Sequence, residues 1–144
     1  MEVPRVREFM IPVPLTLRPE TPIYDAIASL ARLQISGAPV VDADGQLVGF
    51  LSERDCLRIL SNWAVQQVPG GAVADYMTHE VETVLPEFDL MALASHFEAR
   101  EFRQFPVCDH DGALVGQIRC RDVLRAIHEM GKVPSPYPDY RRPQ

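Results

Sequence analysis

The residues best placed to do chemistry are Ser52-Glu53-Arg54-Asp55, which follow the apolar run Leu47–Leu51 and open a helical stretch. At a helix start the first backbone amides lack internal partners and carry a partial positive charge, which suits an anion such as a phosphate. Ser52 adds a hydroxyl donor, and Asp55, one turn in, offers a carboxylate to hydroxyl groups. The same spacing also describes a capping box, with Ser52 bonding forward and Asp55 reaching back. Such a cap contributes about 1 kcal/mol and needs no ligand. On this tetrapeptide alone both readings stand.

A second tetrapeptide, Arg119-Cys120-Arg121-Asp122, ends in the same Arg-Asp pair. Arg119 has no oxygen with which to cap a helix, so Asp122 stands there without that partner. Either Arg119 sets its guanidinium against a phosphate, as its planar fork allows, or this site has lost its ligand and Arg119 pairs with a surface carboxylate. If only one of the two sites binds, Ser52 and Asp55 mark it.

Other candidates fall away. His79, His96, His110 and His128 are scattered without metal-site spacing and read as surface side chains; the three cysteines, Cys56, Cys108 and Cys120, share no ligand pattern and read as reduced thiols. Asp42, Asp44, Asp109 and Asp111 resemble a carboxylate cluster, but each pair sits beside a glycine where turn chemistry explains it. No nucleophile with an adjacent base and no glycine-rich phosphate loop is present, so no catalytic residue is assigned. Fourteen Lys and Arg against twenty Asp and Glu give a formal charge of −6, which argues against a nucleic-acid partner. No apolar run approaches the roughly 18 residues of a membrane span. No apolar segment follows Met1-Glu2-Val3-Pro4-Arg5 to make a signal peptide, so a cytoplasmic protein is expected.

These tetrapeptides must be held by a scaffold, and the scaffold is duplicated. Residues 6–60 fall on 73–127 without a gap, Met10 on Met77, Thr16 on Thr83, Pro39-Val40 on Pro106-Val107, Asp44-Gly45 on Asp111-Gly112 and Arg54-Asp55 on Arg121-Asp122. In each copy a short extended stretch (Pro14–Leu17 in the first) precedes a helix. Thr21 is placed to cap that helix with Pro22 at its first position. Ile23, Ala26, Ile27, Leu30 and Leu33 form its apolar stripe, matched by Leu90, Leu93, Ala94 and Phe97 in the second copy. Gly37 is read as its left-handed end. Ala38–Val41 and Leu47–Leu51 then read as a hairpin turning at Asp42–Gly45, and a second helix runs from Ser52 to about Leu60. The fold class is therefore α/β (α+β): two tandem βαββα units, paired sheet edge to sheet edge across a pseudo-two-fold axis. The expected organisation is repeat 1 at 4–60, a linker at 61–71, repeat 2 at 72–128 and a Pro-rich tail at 129–144.

Each copy resembles a CBS domain through Phe9-Met10, Thr16-Leu17-Arg18-Pro19, Ala38-Pro39-Val40-Val41-Asp42, Asp44-Gly45, Leu47-Val48-Gly49-Phe50-Leu51 and Ser52-Glu53-Arg54-Asp55. The resemblance covers nearly all of residues 4–128. It implies a Bateman module that dimerises into a disc and binds AMP, ADP, ATP or S-adenosylmethionine as a regulatory ligand, with no cofactor required. It implies a sensor acting on a partner protein, not a catalyst. Family members are usually attached to a channel, transporter or enzyme, for which this chain leaves no room, so a stand-alone module is expected.

On that resemblance Asp55 takes ribose hydroxyls, Ser52 adds a donor to the phosphate, Ala38, Pro39 and Val40 form an apolar wall for a purine, Thr16 places a hydroxyl near the base, and Arg54 is counted among the ligand-binding residues. The second copy supplies Thr83, Pro106, Arg119 and Asp122 at the matching positions. A competing reading makes the chain a ligand-free module for dimerisation and protein contact, in which Ser52 and Asp55 are only a cap.

Overall fold

The computed structural model describes residues 3–66 and 70–131. The expected tail beyond Gly131 and Pro69 of the linker lie outside them. The elements run α1 (Val6–Phe9), α2 (Ile23–Leu33), β1 (Gly37–Val41), β2 (Leu47–Ser52), α3 (Glu53–Gln66), a 3-10 turn (Val73–Asp75), α4 (Leu90–Ala99), β3 (Gln104–Cys108), β4 (Leu114–Arg119) and α5 (Cys120–Met130). Helix and strand mix in two matching halves, as the duplication requires. Among the described residues no helix is long and apolar enough to cross a membrane.

Each half is built on an antiparallel hairpin, β1 with β2 and β3 with β4. Gly45 and Gly112 turn these hairpins at φ 80° and 85°, a region open to glycine. Asp42 Oδ1 accepts the Asp44 and Gln46 amides, and Asp109 Oδ1 accepts those of Asp111 and Ala113. The aspartates are thus turn residues. The leading strand of each unit is reduced to one residue: Leu17 bridges Val40 and Val84 bridges Val107, both parallel.

Three local expectations are corrected. The hydroxyl of Thr21 accepts the Arg18 amide, and Pro22 holds the N-cap of α2 without a side-chain bond; a preceding Arg18-Pro19-Glu20 turn needs that hydroxyl more than the helix does. The left-handed residue closing α2 is Gln34, at φ 55°, three places before Gly37. Gly37 opens β1, where an added Cβ would lie 2.6 Å from Phe50 Cε1 and 2.9 Å from the Leu51 carbonyl oxygen. Its constraint is space, not φ. Third, α3 continues through Gln66, into the stretch read as linker, because no glycine or proline stands between Glu53 and Gln66 to stop it.

The halves exchange their leading segments. Val6, Phe9 and Met10 pack with Leu90, Leu93, Phe105 and Ile118, while Val73, Ala74, Tyr76 and Met77 pack with Ile23, Leu30, Val40 and Leu51. Ile11 bridges Gln117, and its repeat-mate Thr78 bridges Phe50; Arg5 bridges Asp89, and Ala72 bridges Pro22. Every bridge of the seam therefore has a counterpart under the repeat, and Gln46 with Ala113 bridges onto its own image. The hairpins themselves meet at their tips, where the Leu47 amide donates to the Gly112 carbonyl and that of Leu114 to the Gly45 carbonyl. The pseudo-two-fold axis passes there, between Gln46 and Ala113.

Candidate functional site

Ser52 ends β2 and Glu53 begins α3, so the first amides of that helix are presented at the end of a strand. The box is closed in both directions. Asp55 Oδ2 accepts the Ser52 amide and the Ser52 hydroxyl, each at 2.9 Å, and the Asp55 amide lies 3.2 Å from Ser52 Oγ. The other carboxylate oxygen, Oδ1, accepts Arg58 Nη2 at 2.8 Å. The Asp55 side chain is 9% exposed and that of Arg58 is 60% exposed. A buried carboxylate is thus held on one oxygen by the Ser52 amide and hydroxyl and on the other by a largely solvent-exposed arginine.

Arg58 also donates to the Tyr76 carbonyl, at the root of the segment that Thr78 inserts against Phe50. Arg125 makes the same bond to the Phe9 carbonyl and stacks its guanidinium 5.7 Å from the Phe9 ring centroid. Sequence reasoning did not single out either arginine. Their one signal is the matched Leu57-Arg58 and Leu124-Arg125 three residues beyond each aspartate.

In the second copy half of the box survives. The Arg119 amide donates to Asp122 Oδ2 at 2.8 Å, as Ser52 does to Asp55. The side chain then adds a fork, Nε to Oδ2 and Nη2 to Oδ1, both at 2.9 Å. Its hydrogen bonds to Asp122 push the Arg119 pKa up. Asp122 is 1% exposed, so the expectation of a surface carboxylate is corrected: the partner is interior and belongs to the same helix start. Arg125 stands back at 3.7 Å from Asp122.

The wall expected of Ala38, Pro39 and Val40 is instead core. All three are buried, Ala38 and Val40 packing under α2, and Pro106 is buried likewise. β1 is covered by its helix on one side and flanked by β2 and Leu17 along its edges, which leaves those side chains no open face. Thr16 and Thr83 are exposed, each one residue before the bridge to Val40 or Val107. Arg54 and Arg121 are also exposed.

A groove of about 360 Å³ opens between the halves, lined by Val48 and Gly49 from one and by His79, Thr83, Cys108 and His110 from the other. It includes Thr83 but neither Asp55 nor Asp122, so this groove and the two carboxylates do not coincide. His110 is exposed and pairs with Glu87. His96 is only half-buried against Phe88, ring centroids 5.6 Å apart, rather than fully on the surface. Burial, reinforced by Asp55 and Glu53, raises the Cys56 pKa, and burial with Asp109 raises that of Cys108.

The CBS domain family's profile matches the chain twice, at residues 6–62 and 73–129. A crystal structure of CBSX2 in complex with AMP is 30% identical and superposes with a TM-score of 0.79 over 88% of this chain and 98% of that one. The CBS-pair protein CBSX2 from Arabidopsis thaliana gives 27% identity and a TM-score of 0.79 over 92% of this chain and 100% of that one. Inosine-5'-monophosphate dehydrogenase of Aquifex aeolicus is 31% identical over 117 residues, covering 81% of this chain but 23% of the enzyme. The chain spans about a quarter of that relative's length.

Proposed function

This chain belongs to the CBS domain family as a tandem pair, and from that premise we propose that it is a non-catalytic regulatory module of the cytoplasm. It binds an adenosine-containing ligand (AMP, ADP, ATP or S-adenosylmethionine) at the Ser52–Asp55 helix start and alters an effector protein. The observation that carries this reading is the Asp55 carboxylate, buried among the seam residues yet closed on Oδ1 only by the largely exposed Arg58. A ribose diol would exchange for that arginine by giving the buried carboxylate replacement hydroxyl donors, while the guanidinium, 60% exposed, returns to water. Of the first α3 amides, that of Glu53 donates to the Ser36 carbonyl and that of Asp55 to Ser52 Oγ, so the Arg54 amide is the one offered to a phosphate. The AMP held by the CBSX2 structure supports the choice of ligand class.

Occupancy at Asp55 reaches the seam through Arg58 and the Tyr76 carbonyl, so the relative tilt of the halves is the element a ligand shifts. A ligand moves such an equilibrium only by its differential affinity for the two states. Leu57, Leu124 and Ile127 stand 61%, 65% and 56% exposed on α3 and α5. This apolar face, with two of its members related by the repeat, supports a homodimer formed through these helices. The test is calorimetric titration with the four ligands. Saturable binding that disappears in Asp55→Ala sustains the proposal, whereas binding unchanged by that substitution, or none at all, removes it.

A further inference from the structure

We propose that Arg119 occupies, from within the chain, the place on Asp122 that a ligand's hydroxyls take on Asp55, so that the chain has one open ligand cleft and a second closed by its own arginine. This rests on the reading of Asp55 as the ligand-binding carboxylate.

The two aspartates are related by the repeat, occupy the same position in the first turn of α3 and α5, and each accepts the amide of the residue three before it. What differs is the remaining coordination. Asp55 Oδ2 meets a small hydroxyl and Oδ1 a single nitrogen of an arginine that is 60% exposed and shares that nitrogen with the Tyr76 carbonyl. Asp122 meets a planar fork that fills both oxygens at 2.9 Å, from an arginine 31% exposed, onto a carboxylate 1% exposed. Bidentate guanidinium–carboxylate pairs fix geometry as well as charge. A diol arriving at Asp122 would have to break both bonds and leave a half-buried guanidinium without its partner. Arg125 shows the consequence: displaced to 3.7 Å, it does not make the contact that its repeat-mate Arg58 makes at 2.8 Å.

Arg119→Ser would rebuild the first copy's arrangement. The backbone donor stays, a hydroxyl replaces the fork, and Arg125 is left free to approach. Asp122 keeps the backbone amide of residue 119 and exchanges the fork for a hydroxyl; Arg119→Ala, which clears the cleft without adding a hydroxyl, serves as the second variant, with circular dichroism checking both.

The experiment is the number of ligands bound per full-length chain, by equilibrium titration with AMP, ATP and S-adenosylmethionine in turn. The expected result is one per chain in the wild type, two in Arg119→Ser, and one again in Arg119→Ser/Asp122→Ala. A wild type that binds two, with one surviving Asp55→Ala, overturns the proposal, as does an Arg119→Ser protein that still binds one. Loss of AMP affinity in Arg119→Ser with adenosine unaffected would also overturn it, by making Arg119 a phosphate ligand. A silent wild type removes the Asp55 reading; if Arg119→Ser then binds one ligand the closed cleft stands, and if it too is silent both readings fall.

Discussion

Arg58 Nη2 donates at 2.8 Å to the carbonyl oxygen of Tyr76, eighteen residues away and in the other repeat. The same nitrogen holds Asp55, so one side chain joins the helix start proposed to carry the site to the segment that the other repeat inserts beside it. Arg125 and Phe9 repeat the contact on the far side of the axis.

Arg58→Ala is expected to cost about 1 kcal/mol, the worth of one backbone hydrogen bond plus a pair discounted for its exposure. The loosening should be local. Hydrogen exchange would speed at the Thr78 amide, which donates to the Phe50 carbonyl, with the corresponding Ile11 amide unchanged.

The exchanged segments give a second expectation. Val6 is fully buried, and its neighbours are Leu90, Phe105 and Ile118 of the second repeat. Val6→Ala should destabilise the protein by about 2 kcal/mol through lost burial and a residual cavity. Amide protection would then fall first in α4, β3 and α5 rather than in α2 and β1. Equal loss in both halves would show that they unfold as one unit.

The apolar face on α3 and α5 predicts an effect on assembly. Leu57→Glu with Leu124→Glu places like charges on the proposed dimer contact. Sedimentation should move from dimer toward monomer, with far-ultraviolet dichroism unchanged.

The thiols make a pH-dependent prediction. Thiolate is the reactive form, and burial ahead of the neighbouring carboxylates raises the Cys56 and Cys108 pKa values. Both should alkylate more slowly than free cysteine at pH 8, read by mass spectrometry of native protein. A raised folded pKa means the unfolded chain loses these protons first. Their contribution to stability is therefore fully present below the unfolded cysteine pKa and is lost as pH rises through the folded values, so the alkaline limb of the stability curve should flatten in Cys56→Ser/Cys108→Ser.

Much of this arrangement is legible as spacing. Asp-x-x-Gly announces the hairpin turns, and Ser-x-x-Asp the capping box, because each is a local contact among residues three or four apart. Gly37 misleads because a glycine needed for close approach looks the same in sequence as one needed for positive φ. Thr21 misleads because two backbone amides compete for one hydroxyl. The duplication predicts an axis, but it leaves open which core each leading segment fills; Val6 and Val73 suit either. Arg58 and Arg125 escape notice because a carbonyl acceptor across the seam leaves no mark on residue type. The burial of Ala38, Pro39 and Val40 follows from covering both flanks of β1, which a single apolar run does not reveal.

Thermal unfolding of the purified chain, alone and with AMP, ADP, ATP or S-adenosylmethionine, tests the central claim most directly. Ligand at a hundredfold over its Kd adds about 2.7 kcal/mol to the native state, which raises Tm by several degrees in a protein of this size. The account predicts such a rise with at least one of the four, absent in Asp55→Ala and retained in Asp122→Ala. A rise that survives Asp55→Ala, or no rise with any of them at millimolar concentration, would contradict it.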